Sequence, residues 1–159
     1  STKTRFLGVT VSNDLKWNLH FDDLVKKASK RLFVIRNLRR ANCPPHILYR
    51  SYVSFIRSLL TYAYPSFCNA PDYLRKKLFS FEKRAIRIMG LDPKVYPSLH
   101  TDMINLCSKL FKQIESSSAH PLRTLIENNH FSKTRSSLCL RKPFARTKRF
   151  QNSFIKFCK

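Results

Sequence analysis

Apolar residues recur at helical spacing over most of this chain, and cationic residues lie between them. From residue 18 to residue 40 the apolar positions form a single stripe, made of Phe21, Leu24, Val25, Ala28, Leu32 and Ile35. At about 100° per residue, the opposite side carries Lys26, Lys30, Phe33, Asn37 and Arg40. The pattern predicts an amphipathic helix, capped by Asn18 and with Asp22 and Asp23 in its first turn.

Three further helices follow from the same spacing. Pro44-Pro45 ends the first helix and begins a second, largely apolar one that is expected to end before Pro65. Pro71-Asp72 opens a third helix, which Gly90 closes as a left-handed cap. The side of this helix opposite its apolar stripe carries Lys76, Lys83 and Arg87. A fourth helix is predicted over residues 97–116, followed by a short helix near 120–127 and a polar link.

The N-terminal residues have strand character. Residues 5–11 are rich in β-branched and aromatic types, and Ser12-Asn13-Asp14 is typical of a turn that leads into residues 15–17. We therefore predict a mainly α fold: an N-terminal β-hairpin, a bundle of about four to five helices and a basic C-terminal tail. The expected segments are the hairpin (1–18), the helical bundle (19–90), C-terminal helices (91–128) and a basic aromatic tail (129–159).

The net charge of the chain bears on what it binds. The chain carries 31 Lys and Arg against 9 Asp and Glu, a formal charge of +22 at pH 7, with 43% hydrophobic residues. Such a chain can bury a core, and its charge favours a phosphate backbone as partner. We expect the contacts from Lys26, Lys30, Arg40, Lys76, Lys83, Arg87, Arg146, Lys148 and Arg149. The aromatic residues of the tail either stack on bases or, as the simpler interpretation, dock a helix on the body.

Catalytic and metal chemistry find little support in the sequence. The two glycines exclude the glycine-rich phosphate loops, the five cysteines have no zinc-site spacing, and Asp22-Asp23 lies in a predicted first helical turn. We therefore assign no catalytic residue, metal site or cofactor.

The longest apolar stretch, residues 52–64, contains Arg57 and is too short for a bilayer, so we expect no membrane partner. Because burying an unpaired cation is costly, Arg57 is expected to have a structural partner, either a carboxylate or helix-end carbonyls. We expect an intracellular protein, in the nucleus or alternatively the cytoplasm.

An ordered series of motifs resembles the part that follows the catalytic palm in reverse transcriptases of non-LTR retrotransposons, the jockey-like LINE elements. The series begins with Phe6-Leu7-Gly8-Val9-Thr10-Val11, Asp14-Leu15-Lys16-Trp17, His20 and Lys26-Lys27-Ala28-Ser29-Lys30-Arg31-Leu32. It continues with Leu38-Arg39-Arg40, Tyr52, Phe55-Ile56-Arg57-Ser58-Leu59-Leu60-Thr61-Tyr62-Ala63, Glu82-Lys83-Arg84-Ala85-Ile86-Arg87-Ile88-Met89 and Arg149-Phe150-Gln151-Asn152-Ser153-Phe154-Ile155. The chain departs from the family's pattern at Ser58 and Phe67 and lacks a CCHC zinc knuckle.

The resemblance implies a C-terminal fragment of an RNA-directed DNA polymerase that clamps a template-primer duplex. Phe6, Leu7 and Gly8 would form a primer-grip-like hairpin, the helical bundle a thumb domain, and Trp17 would be structural. The implied partners are an RNA template, an RNA-DNA hybrid or a DNA duplex, together with the palm and fingers upstream. The catalytic aspartates and the Mg²⁺ of the polymerase would lie in that upstream part, which leaves open whether this chain belongs to an enzyme.

Two alternatives from other classes remain at this point. The chain could be a freestanding basic helical scaffold that binds RNA or chromatin. It could also be a cryptic enzyme that uses one of its cysteines as a nucleophile.

Overall fold

The computed structural model describes residues 3–14, 16–123, 131–134 and 137–140, the last two ranges as backbone. Two strands, β1 (Lys3–Phe6) and β2 (Val9–Ser12), precede the long helix α1 (Asn18–Arg40). Then come α2 (Pro45–Tyr52), a π-helical turn (Val53–Arg57), α3 (Ser58–Thr61) and α4 (Tyr64–Phe67). The remaining elements are α5 (Asp72–Met89), α6 (Leu99–Ser116), β3 (Phe131–Thr134) and β4 (Ser137–Leu140). The predicted architecture, mainly helical behind an N-terminal hairpin, is confirmed.

The chain divides into two compact units. The first comprises Ser1–Tyr64 and Ala70–Met103, and the second comprises Pro65–Asn69 and Ile104–Lys159. The first unit holds β1 and β2, α1, α2, the π-helical turn, α3 and α5. In the second, β3 and β4 pair antiparallel, with Phe131 opposite Leu140. This second hairpin was not predicted, and the four-segment division stays a prediction.

The apolar stripe of α1 forms one wall of the core in the first unit. Its buried side chains are those of Phe21, Leu24, Ala28, Leu32 and Ile35. On α5 the buried apolar stripe is Leu74, Leu78, Phe81, Ala85 and Met89. Both sets follow the helical spacing read from the sequence, because burying an apolar stripe is what stabilises a helix in water.

The N-terminal hairpin turns at a different place from the one predicted. Phe6 pairs with Val9, so the turn is Leu7-Gly8 and not Ser12-Asn13-Asp14. Both turn residues have positive φ, 44° for Leu7 and 83° for Gly8. Two-residue hairpin loops favour this backbone because its twist matches that of the strands, and glycine adopts it without a Cβ clash. The turn chemistry of residues 12–14 instead contributes side-chain hydrogen bonds, such as Ser12 Oγ donating to the Lys16 carbonyl at 2.9 Å.

The start of α1 also differs from the prediction. Trp17 occupies the N-cap position without a side-chain cap hydrogen bond, and Asn18 is the first helical residue. Asp22 and Asp23 therefore lie beyond the first turn, which contains no acid. By contrast, Gly90 ends α5 in the left-handed conformation, with φ 68°, as predicted. A Cβ at that position would lie 2.8 Å from Arg39 Nη2 at the end of α1.

A π-helical turn interrupts the apolar helix predicted to run from Pro45 to before Pro65. The turn, Val53–Arg57, inserts an extra residue between α2 and α3. Within this turn Ile56 and Arg57 are both buried.

The hairpin is attached to α1 through His20. The buried imidazole Nδ1 accepts a hydrogen bond from the Thr10 backbone N–H at 3.3 Å. Burial lowers the pKa of His20 below its usual 6.5, the nearby cation Lys27 lowers it further, and Asp23 acts in the opposite direction. Protonated Nδ1 could not accept this bond, so the neutral form holds the hairpin.

This arrangement predicts that the protein loses stability as the pH falls below 6.5, the ordinary histidine value. In that range His20 takes up a proton in the unfolded chain before it does so in the folded one. Its contribution is complete above pH 6.5 and is lost as the pH falls through the folded-state pKa. Urea unfolding at a series of pH values between 8 and 5 measures the effect. The His20→Gln variant should show a flatter dependence; equal slopes for both proteins would contradict the assignment.

Candidate nucleic-acid interface

α1 and α5 lie side by side and run parallel. At their N-terminal ends the Tyr73 hydroxyl donates a hydrogen bond to Asn18 Oδ1. One turn further on, Lys77 Nζ lies 3.0 Å from Asp22 Oδ1. Gly90, at the C-terminal end of α5, lies against Arg39 near the end of α1. Polar contacts at the N-terminal ends, together with the close approach of Gly90 to Arg39 at the other ends, therefore fix the alignment of the two helices.

An open groove of about 550 Å³ runs between the two helices. On the α1 side its walls are Asp22, Val25, Lys26 and Ser29. On the α5 side they are Tyr73, Lys76, Lys77, Ser80, Phe81 and Arg84. Four cations and one carboxylate make the groove net positive. We refer to these ten residues as the α1/α5 groove.

The cations of the groove differ in how they are paired. Lys77 is partly neutralised by Asp22, and both side chains are half exposed. Among the residues that the structure describes, no carboxylate pairs with Lys26, Lys76 or Arg84. Lys26, Lys76 and Arg84 are solvent-exposed, so their charges can be neutralised by an anion from solution.

The structure brings only some of the predicted contact residues together. Lys26 and Lys76 face each other across the α1/α5 groove. Lys30, Arg40, Lys83 and Arg87 are exposed on the same two helices but do not line it. The predicted residues Arg146, Lys148 and Arg149 lie outside the described residues. That these side chains contact nucleic acid stays a prediction.

Sequence reasoning missed Tyr73, Lys77 and Arg84. They recur at i, i+4 and i+11 and so form a stripe of their own on α5. This stripe lies about a quarter turn from the buried one, at about 100° per residue. From the sequence, the contact residues were instead expected on the side opposite the buried stripe, where Lys76, Lys83 and Arg87 lie. When two helices pack together, the residues beside each buried stripe line the groove between them. A cationic stripe beside the buried one could therefore have predicted these groove residues from the sequence.

A buried ion-pair network holds α5 to the π-helical turn. Arg57 is 4% exposed, and its Nη2 lies 2.7 Å from Glu82 Oε1 on α5. Its Nη1 lies 3.1 Å from Asp102 Oδ2 and donates to the Tyr49 hydroxyl at 2.8 Å. The Pro97 carbonyl accepts a further hydrogen bond from Nη2 at 2.5 Å. The buried cation therefore has the carboxylate and carbonyl partners that its burial requires.

Glu82 has a second role in this network, since its Oε1 also accepts the Leu99 backbone N–H at the start of α6 at 2.7 Å. Burial is the largest single influence on the pKa of Arg57 and would lower it. Hydrogen bonding to Glu82 and the nearby Tyr49, Tyr52 and Asp102 outweigh burial and raise that pKa above its usual range. For Tyr52, by contrast, burial itself raises the pKa above its usual value, and the charge of Glu82 raises it further. The network is thus charged on Arg57 and neutral on its tyrosines near pH 7.

The remaining candidate residues from the sequence do not form a catalytic or metal site among the residues that the structure describes. Phe6 ends β1 and Leu7 and Gly8 form the hairpin turn; all three are exposed, and the Tyr62 hydroxyl donates to the Leu7 carbonyl at 2.9 Å. Trp17 is half-buried beside His20. Cys68 and Cys107 are buried, which withholds these thiols from a substrate. No group of three or more His, Cys, Asp or Glu within the described ranges could hold a metal ion. No helix among them is long and apolar enough to cross a membrane.

Comparison with known families corrects the expected identity. The family model that matches is that of the N-terminal region of alkylated DNA repair protein alkB homolog 8, over residues 17–58. The match covers roughly a quarter of the chain, namely α1, α2 and the π-helical turn. No curated protein and no solved structure shows significant similarity to the chain.

The assignment to a reverse transcriptase of a non-LTR retrotransposon is therefore wrong, since the matching family is not a polymerase family. The function and descriptors that came with it are wrong as well: a template-primer clamp, a thumb domain and a transposable-element origin. The alternative of a freestanding RNA or chromatin scaffold receives no direct support either. The matching description names a DNA-repair protein, which is consistent with the expected nucleic-acid partner. It gives no support to a palm and fingers upstream.

Proposed function

We propose that the chain is a nucleic-acid-binding module that holds a phosphate backbone along the α1/α5 groove. The observation that carries the proposal is the convergence of unpaired cations from two helices, with Lys26 on one wall and Lys76 and Arg84 on the other. Cations at fixed positions can track successive phosphates without reading bases. We place such a module inside the cell, in the nucleus or the cytoplasm, where its partner would be found.

Three features support a backbone partner over other anions. The charge of +22 is far greater than a small anion would neutralise. The groove is open to solvent, so a polymer can reach its cations without its ends entering an enclosed cavity. Finally, the Lys77–Asp22 ion pair and the Tyr73–Asn18 hydrogen bond hold the walls in place before a ligand arrives. A preformed site lowers the ordering cost of binding.

The proposal predicts a specific salt dependence. Binding that neutralises phosphates releases counterions, so log affinity falls linearly with log salt, by about 0.7 to 0.9 per phosphate contacted. Replacing both Lys26 and Lys76 with glutamine should therefore flatten the slope by about 1.4 to 1.8 units. Affinity should fall equally for unrelated sequences. Fluorescence anisotropy with a labelled oligonucleotide over a series of salt concentrations measures both quantities.

A matched control separates the groove from the overall charge. Lys3 and Lys94 are exposed and lie outside the groove, so Lys3→Gln/Lys94→Gln removes the same charge elsewhere. This control should leave the slope within a few tenths of the wild-type value. Equal flattening by both double variants would show diffuse attraction and remove the groove as the binding site. An unchanged slope in Lys26→Gln/Lys76→Gln would do the same.

A further inference from the structure

We infer that Tyr73 is a stacking platform for an unpaired nucleobase, so that the α1/α5 groove takes a single strand in preference to a duplex. This inference rests on the proposed backbone binding and names the form of nucleic acid that the groove recognises. The chemistry required is an aromatic face that is open to solvent, held in one orientation and adjacent to cations.

Tyr73 meets each of these requirements. Its side chain lines the groove and the residue is 53% exposed, although the next residue, Leu74, is fully buried. Its hydroxyl donates to Asn18 Oδ1 on the neighbouring helix, which ties down the far end of the ring. Lys77 follows it by one helical turn on the same stripe, and Lys76 and Lys26 line the same groove. A tethered ring loses little conformational freedom when a ligand covers its face.

The arrangement favours an unpaired base because the faces of the bases in a duplex are not accessible to a protein side chain. In a duplex, base faces are stacked on one another, and a protein meets only base edges and the backbone. A single strand can turn its bases outward, and an aromatic side chain can then cover one face while cations hold the flanking phosphates. Stacking of this kind tolerates any sequence, because every base has a flat π surface.

Tyr62 provides an internal comparison. It is 54% exposed and its hydroxyl donates to a backbone carbonyl, that of Leu7, at 2.9 Å. It lies outside the groove and holds the hairpin turn. Two tyrosines of nearly equal exposure and similar tethering thus differ in whether they line the cationic α1/α5 groove. Only Tyr73 is expected to affect nucleic-acid binding.

The test compares the wild-type chain with Tyr73→Ala, Tyr73→Phe and Tyr62→Ala. Each protein is titrated at one salt concentration with a mixed-sequence single-stranded oligoribonucleotide, the matching oligodeoxyribonucleotide and the duplex of each. The wild type should bind the single strands more tightly than the duplexes. Tyr73→Ala should weaken single-strand binding by about 5- to 140-fold and leave the salt slope unchanged, because no phosphate contact is lost. Tyr73→Phe keeps the ring and should lose only a small part of the affinity, and Tyr62→Ala should match the wild type.

A fluorescence measurement detects the stacking of a base on Tyr73 directly. A single strand that carries 2-aminopurine should lose fluorescence on binding to the wild type and to Tyr73→Phe, and should retain it on binding to Tyr73→Ala. Tighter binding of duplexes by the wild type would overturn the inference, as would single-strand affinity and quenching that Tyr73→Ala leaves intact. In these cases the backbone proposal stands if Lys26→Gln/Lys76→Gln still flattens the salt slope. If that slope does not change, the groove itself is not the site. A preference between the RNA and DNA single strands identifies the sugar that is accepted.

Discussion

Replacing Arg57 with methionine is expected to lower the free energy of unfolding by about 3 to 5 kcal/mol, because removing one partner of a buried ion pair leaves the other charge uncompensated. Glu82 is almost fully buried and would retain only the Leu99 N–H as a hydrogen-bond donor. Asp102 and the Tyr49 hydroxyl would lose a partner at the same time. Urea unfolding monitored by circular dichroism measures the loss.

Arg75 offers a matched control for this change. It forms an ion pair with Asp72 on the surface of α5, and Asp72 is three-quarters exposed. Because water solvates Asp72, and because methionine keeps much of the packing of the Arg75 side chain, which is 20% exposed, Arg75→Met should cost only about 0 to 1 kcal/mol. Similar losses for Arg57→Met and Arg75→Met would contradict the role assigned to the network.

A double variant tests the cause of the Arg57 effect. In Arg57→Met/Glu82→Leu neither buried charge of the pair remains, so much of the lost stability should return. Recovery should be incomplete, because the Leu99 N–H then loses its acceptor at the start of α6. The Arg57→Met and Glu82→Leu single variants are measured beside it. If the stability loss of the double variant equals the sum of the two single losses, the charges do not interact.

Regular, amphipathic elements were the part of the fold that the sequence could predict. The stripes of α1 and α5 and the left-handed Gly90 cap depend on local spacing and on one special backbone position, both of which are visible in the chain. The Leu7-Gly8 turn was missed because two signals competed, and the polar cluster at residues 12–14 was preferred over a single glycine. The π-helical turn was missed because the apolar spacing there reads as one continuous helix, and the partners of Arg57 lie as far along the chain as Pro97.

The candidate site could be predicted only as cationic helix faces. Lys26 and Lys76 line the same groove because α1 and α5 pack side by side, and nothing local in the sequence determines that pairing. The same limitation explains the mistaken family assignment. Many positions that suggested the resemblance, such as Ala28, Leu32 and Ile56, are core positions of amphipathic helices. Unrelated basic helical proteins share that spacing of apolar and cationic residues, so it does not specify a family.

Replacing Phe21 with alanine should lower the free energy of unfolding by about 3 to 5 kcal/mol, the usual cost of deleting a buried phenylalanine ring. Phe21 is fully buried on the apolar stripe of α1. Phe33 lies on the same helix and is 59% exposed, so Phe33→Ala should change stability by only about 0.5 kcal/mol or less. Urea unfolding of both variants measures the difference, and equal losses would mean that α1 packs through another face.

The same pair of variants separates folding from binding. If the core only supports the groove, Phe21→Ala should retain the wild-type salt slope at temperatures where it remains folded, because Lys26 and Lys76 are unchanged. The fraction of folded protein would then account for any loss of apparent affinity. A changed slope in the fully folded Phe21→Ala variant would mean that packing beneath α1 sets the positions of the cations, and that the groove is less preformed than its polar contacts indicate.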